Sequence, residues 1–233
     1  MALPQLNSAR YETVIPSTGQ SITFRPYLVK EEKILMLALE SQDQNMIMRA
    51  IKDVIEACIF DNIKVNELAI FDIESLFLHL RSKSVGENID LKMKCDECES
   101  LSDVSINVDD ISTPDVSTDN KIMLTESVGV VLNYPSFESI TKLGDELDTV
   151  EGAFKMVAQC IDTIFDDDNV HDAKSESAKN LNEFLESLNS DQFQLLTGFF
   201  ENMPAIKHNV SFACQHCGHN NEMELKGLQS FFT

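Results

Sequence analysis

Four of the six cysteines fall into two pairs of identical spacing, Cys95-Asp96-Glu97-Cys98 and Cys214-Gln215-His216-Cys217. Two thiolates separated by two residues reach one tetrahedral ion from a tight turn, and two such pairs complete a closed site. Cys95, Cys98, Cys214 and Cys217 are therefore read as the ligands of one structural Zn2+. Gly218 supplies the freedom in φ that such a turn uses on exit. A closed four-cysteine site leaves no position for water or substrate, so the ion would hold the fold and take no part in a reaction. Three other uses compete. A thioredoxin-type dithiol places its pair at a helix N-terminus, whereas both pairs here run on toward strand-like segments. His216 or His219 could replace a cysteine, but four thiolates already complete the set. The blandest alternative is two unligated pairs by chance. Asp96, Glu97 and Glu99 oppose ionisation of the first pair, with Lys92 and Lys94 in partial compensation.

The remaining candidates for chemistry have plainer readings. Cys58 and Cys160 lie on or beside apolar helical stripes with no histidine partner in view, which predicts inert burial. The run from Asp166 to Asp172 lacks the glycine and closing glutamate of an EF-hand loop and reads as a solvated helix end. His79 falls on the polar side of its helix. No P-loop, nucleophile elbow or H-E-x-x-H pattern occurs, so no catalytic residue, organic cofactor or small-molecule substrate is assigned and no enzyme is expected. Phe231 and Phe232 are expected to pack inward, with a partner anchor as the alternative.

Composition limits the partners. The 233 residues carry a formal charge of −21, with 43% hydrophobic residues, enough for an ordinary core. The field of such a chain repels phosphate backbones and anionic membrane surfaces, so neither nucleic acid nor membrane is an expected partner. The sequence opens without a basic segment followed by an apolar run, which places the protein in the cytoplasm of the producing cell. Cytosolic thiols stay reduced unless a metal or catalysis claims them, which again favours metal over disulfides.

The elements that must position the cysteines are read as one α+β domain over 1–233. A β-hairpin occupies 1–29, around the turn Pro16-Ser17-Thr18-Gly19. A helical block covers 30–85. Its Ile34–Leu39 stretch is apolar on all sides and predicts a buried helix. Ile47, Ile51, Val54, Ile55 and Cys58 form one helical stripe, and Asp72 reads as the N-cap of a third helix. Strands fill 86–134, with Ile89, Leu91 and Met93 alternating before the first cysteine pair and Val104, Ile106 and Val108 after it. Ser112–Asn120 reads as a loop, and 122–132 as a strand with Gly129 marking a bulge or close approach. A second helical block covers 135–205. One helix begins near Asp148 and carries Val157, Ile161 and Ile164 inward, then two more carry Leu181 to Leu188 and Phe193 to Phe200. Alternating segments in 206–233 bracket the second pair. The fold is thus α+β, with helical blocks inserted into a small β unit that includes a split zinc ribbon of four cysteines.

Cys98 and Cys214 stand 116 positions apart. Closing a loop of that length costs roughly 4–5 kcal/mol in chain entropy by the disulfide estimate. Structural zinc contributes on the order of 10–16 kcal/mol in finger peptides, so a long-range metal staple is energetically open.

Several stretches together resemble a known family. They are Pro16-Ser17-Thr18-Gly19 leading to Arg25-Pro26-Tyr27-Leu28-Val29-Lys30-Glu31-Glu32-Lys33, then Phe71-Asp72-Ile73-Glu74 through Arg81-Ser82-Lys83-Ser84-Val85-Gly86-Glu87, then Asn202-Met203-Pro204, and finally Cys214 and Cys217 with Gly218, Gly227-Leu228 and Phe231-Phe232. In this order they resemble the baseplate proteins of T4-like tailed bacteriophages, the hub subunits and hub assembly proteins. The resemblance implies a non-enzymatic phage late protein that binds other baseplate hub proteins during tail assembly, inside the infected bacterium or in the virion. The competing class, a zinc-ribbon nucleic-acid-binding regulator, requires a basic patch.

Overall fold

The computed structural model describes residues 8–112, 116 and 120–231. In chain order they form β1 (Tyr11–Val14), β2 (Ser21–Phe24), α1 (Val29–Ser41), α2 (Gln44–Cys58), α3 (Ile70–Ser84), β3 (Asn88–Lys94), β4 (Leu101–Asn107), β5 (Lys121–Met123) and β6 (Gly129–Leu132). There follow α4 (Phe137–Leu143), α5 (Val150–Cys160), β7 (Ile161–Phe165), β8 (Val170–Asp172), α6 (Ala178–Glu186), α7 (Ser190–Glu201), β9 (Lys207–Ala213) and β10 (Asn220–Lys226). The mixture is α+β, as the sequence patterns predict. Its contacts gather into two compact units, one made of Met1–Val65, Phe71–Asp115 and Ala205–Thr233, the other of Asn66–Ile70 and Val116–Pro204. No helix among the described residues is long and apolar enough to cross a membrane.

The first unit contains three two-stranded antiparallel ribbons, β1–β2, β3–β4 and β9–β10. The β1–β2 hairpin turns at the expected cluster, and Ser17 there donates from both its amide and its hydroxyl to the Asp72 carboxylate, at 2.8 and 2.6 Å. Asp72 is therefore no N-cap. It lies fully buried within the first turn of α3 and ties that helix to a turn 55 positions away. The expected stripe on α2 points inward, with Ile51, Val54, Ile55 and Cys58 all buried. Asp43 caps that helix by accepting the amides of Asn45 and Met46.

The burial expected of Ile34–Leu39 is corrected. In α1 only Glu31 and Ala38 are buried, while Val29 is 79%, Met36 57% and Leu37 55% exposed. An all-apolar stretch carries no periodicity to say which side faces inward, and the helix buried nearly all round is α3. There Phe71, Ile73, Leu76, Phe77, Leu78 and Leu80 are enclosed. His79 on α3 is half-buried instead of facing solvent, and burial lowers its pKa. A groove of about 190 Å³ opens beside α1, lined by Tyr27, Leu35, Met36, Leu39, Ile47 and Val85 among others.

The second unit is a four-stranded antiparallel meander, β5-β6-β7-β8, with its helices packed on Leu124, Val130, Leu132, Val157, Ile161 and Leu196. Three expectations change here. The stretch 122–132 is a hairpin of two strands. Gly129 begins the second, and a methyl group on it would collide with the Phe165 ring and the Ile122 carbonyl, so the expected close approach is present. The helix expected from Asp148 starts after its cap Thr149 and stops at Cys160, so that Ile161 and Ile164 lie on β7. The β-branched run Ile161, Thr163, Ile164 favours that change. Finally, Asp166–Asp172 is no helix end: it holds the β7–β8 turn, in which the Asp166 carboxylate accepts the amides of Asp168 and Asn169 at 2.8 and 2.7 Å. The expected loop 112–120 lies mostly outside the described residues, as does Phe232, whereas Phe231 is buried as expected.

Candidate metal centre

The two cysteine pairs form the ends of two ribbons of the first unit. In β3–β4, paired from Asn88↔Asn107 to Lys94↔Leu101, the alternation places Ile89, Leu91 and Met93 inward and leads into Cys95. In β9–β10, paired from Lys207↔Lys226 to Ala213↔Asn220, Val210 is buried on the way to Cys214. Neither pair begins a helix.

The two turns have the same backbone design, offset by 119 positions. Cys95 donates its amide to the Ser100 carbonyl, and Glu99 donates back to Cys95. Cys214 donates to the His219 carbonyl, and Gly218 donates back to Cys214. Each turn closes through a residue with left-handed backbone, Glu99 at φ 59° and Gly218 at φ 75°. The second position is the glycine the sequence suggests; at the first, Glu99 adopts the same conformation and pairs with Lys94 at 3.0 Å.

The four Sγ atoms lie within 4.8 Å of one another. Cys95 to Cys217 measures 3.7 Å and Cys98 to Cys214 3.6 Å. A Zn–S bond of about 2.3 Å in a tetrahedron places sulfur atoms about 3.8 Å apart, so the separations and the donor set fit a thiophilic tetrahedral ion. Cys95 and Cys214 are buried, Cys98 and Cys217 exposed. His216 and His219 are exposed and outside the cluster.

Backbone dipoles prepare two of the sulfurs for ligation. The amides of Cys98 and Glu97 lower the Cys95 pKa against the opposing effect of burial, and Asn221 contributes in the same direction. The amides of Cys217 and His216 bring Cys214 down to about 5. Cys217 receives the His219 amide, yet its contacts with Cys98, Cys214 and Cys95, together with the desolvation of its sulfur among them, push it up to about 12. Four thiols this close cannot all ionise without a cation, and a divalent ion removes that conflict. The other two cysteines behave as inert core. Burial raises Cys58 to about 11 and Cys160 to about 12.

Two residues of the site are absent from the cysteine pattern. Asn221 accepts the Asp96 amide at 2.9 Å, and Ser102 accepts the Gln215 amide at 3.2 Å. Both are buried polar side chains, at 1% and 2% exposure. Their signal in the sequence is a polar residue four positions beyond the second cysteine of each pair, on the inward parity of a strand.

The fold and the centre define an α+β protein with a split four-cysteine ribbon whose halves come from distant parts of the chain. The chain matches the family model of the T4 bacteriophage base plate protein over residues 8–233, and it belongs to that family. No curated protein and no solved structure matches it. Membership supports a phage baseplate role and, with it, interaction with other phage proteins.

Proposed function

We propose that the protein is a non-enzymatic baseplate hub component or hub assembly factor that binds other hub proteins while the contractile tail is built. One structural Zn2+ on Cys95, Cys98, Cys214 and Cys217 would hold its ribbon closed. The observation that carries this reading is the family match over 8–233. The closed tetrathiolate geometry supports a metal that stabilises and does not catalyse. The exposed apolar side chains of α1, among them Val29, Met36 and Leu37, support protein binding, since partners cover exposed apolar surface. A charge of −21 keeps the chain soluble and repels like copies, which favours an assembly factor acting in the host bacterial cytoplasm over a permanent virion subunit. The 233 residues are read as one folding domain.

Quantitative mass spectrometry of purified virions and of tail-assembly intermediates tests the role. Presence in intermediates with depletion from virions is the expected result. Stoichiometric presence in virions would make the protein a hub subunit, and absence from both would end the baseplate-binding reading. Elemental analysis of the purified chain should return one zinc per chain, and loss of that zinc in a Cys214→Ser variant.

A further inference from the structure

From Cys95 to Glu99 and from Cys214 to Gly218 every backbone amide has an acceptor, and the arrangement is the same in both turns. In the first turn the Cys95 and Glu99 amides bond within the turn, and those of Glu97 and Cys98 face the Cys95 sulfur. In the second, the Cys214 and Gly218 amides bond within the turn, and those of His216 and Cys217 face the Cys214 sulfur. One amide is left over in each case, that of the residue just after the first cysteine. Asp96 gives its amide to Asn221, on the opposite ribbon, and Gln215 gives its amide to Ser102, on the first. The two ribbons therefore satisfy each other's last orphan donor, by an exchange with approximate two-fold symmetry. Asn221 is itself fixed by donating Nδ2 to the His219 carbonyl at 3.1 Å. Asp96 and Gln215 are exposed, but both bonds end on buried side chains, and neither turn completes its hydrogen bonding within the chain until the other is docked.

We infer that Ser102 and Asn221 are the positioning residues of the metal centre, a reciprocal clamp that sets the two cysteine pairs at tetrahedral separation before the ion arrives. The inference rests on the reading of the four cysteines as one metal site. Neither residue touches the ion. Ser102 acts through an amide beside a ligand, and Asn221 through such an amide and through its own contact with the Cys95 sulfur, as partners behind metal ligands do in general, and loss of such partners lowers metal affinity by about 10–100-fold.

The test uses the full chain, stripped of metal and titrated with Co2+ against a chromophoric chelator. Wild-type protein should show the intense visible bands of tetrahedral tetrathiolate cobalt. Ser102→Ala and Asn221→Ala should each bind Co2+ about 10–100-fold more weakly, with altered ligand-field bands. Ser102→Thr, which keeps the hydroxyl, should restore the affinity. Amide hydrogen exchange gives a second reading that general destabilisation does not reproduce, because the effect crosses over. Ser102→Ala should deprotect Gln215 and spare Asp96, and Asn221→Ala should do the reverse. In the metal-free wild type both amides should already be protected. Alanine variants with wild-type cobalt affinity and spectrum would overturn the clamp while leaving the metal site standing. Equal deprotection of both amides in either variant would overturn it as well. If the wild type binds neither cobalt nor zinc, the metal reading fails first and the clamp with it.

Discussion

Glu31 shows how much one side chain can organise. It is 2% exposed and sits at the third position of α1, where it accepts the Leu28 amide at 2.8 Å and the Arg25 guanidinium at 2.9 Å, with Lys30 at 3.2 Å. Leu28 has no side-chain acceptor to cap the helix, so the stabilising half of the capping box is the reach back from Glu31. Burial opposes the Glu31 charge, but Arg25, the Leu28 amide and Lys30 outweigh it and hold the pKa at about 2. The folded value lies below the unfolded one, so the stabilisation is complete above about pH 4.5 and is lost as pH falls toward 2. Glu31→Gln should cost about 3 kcal/mol at pH 7, since it removes the carboxylate charge that Arg25 faces. The gap between variant and wild type in urea unfolding should narrow from pH 4.5 downward. A gap independent of pH would show that the charge is not the source. At this scale the cysteines were legible, because ligand spacing is a local property. Ser102 and Asn221 were not, since a small polar residue on a strand has meaning only through its distant partner. Asp72 misled for a related reason: an aspartate ahead of an apolar helix reads as a cap whether it bonds its own helix or reaches Ser17.

Elements were legible where periodicity was clean and ambiguous where two periods overlapped. The α2 stripe, the last two helices and all four strands around the cysteines follow their patterns. Val157, Ile161 and Ile164 fit a helical stripe by spacing alone, yet the chain turns from α5 into β7 at Cys160. The structure also explains two glycines by what lies beside them. Gly129 opens β6 under the Phe165 ring, and Gly152 in α5 lies against the Glu146 carbonyl, where a methyl group has no room. Neither needs a left-handed backbone, so the requirement is closeness of approach. Gly129→Ala and Gly152→Ala should each destabilise by about 1–3 kcal/mol, as overpacking does. Gly198→Ala on α7 meets nothing within 4 Å and should be neutral or mildly stabilising. Thermal unfolding of the three variants checks the contrast, and equal shifts in all three would refute the packing argument.

For the molecule as a whole, the chain passes between the two compact units at Val65/Asn66, Ile70/Phe71, Asp115/Val116 and Pro204/Ala205. Neither unit is a continuous segment, so neither can be synthesised or excised intact as one piece. The single-domain reading predicts one cooperative transition for the metal-loaded chain, with calorimetric and van't Hoff enthalpies in agreement. Two resolved transitions would instead make the units separate folding domains. Metal removal should lower the transition, because an ion held by the folded centre has no preformed site in the unfolded chain, where the two pairs lie 116 positions apart.

That spacing also sets a clock. During synthesis Cys95 and Cys98 leave the ribosome while Cys214 and Cys217 do not yet exist, and at about 5–20 residues per second the interval is roughly 6–23 s. Over that interval the first ribbon has two thiols without their partners and an Asp96 amide without Asn221. The centre can therefore close only on a chain translated past Asn221. A chain terminated before Asn221 lacks the parts that would retain an ion, so metal content would report on translation past that residue.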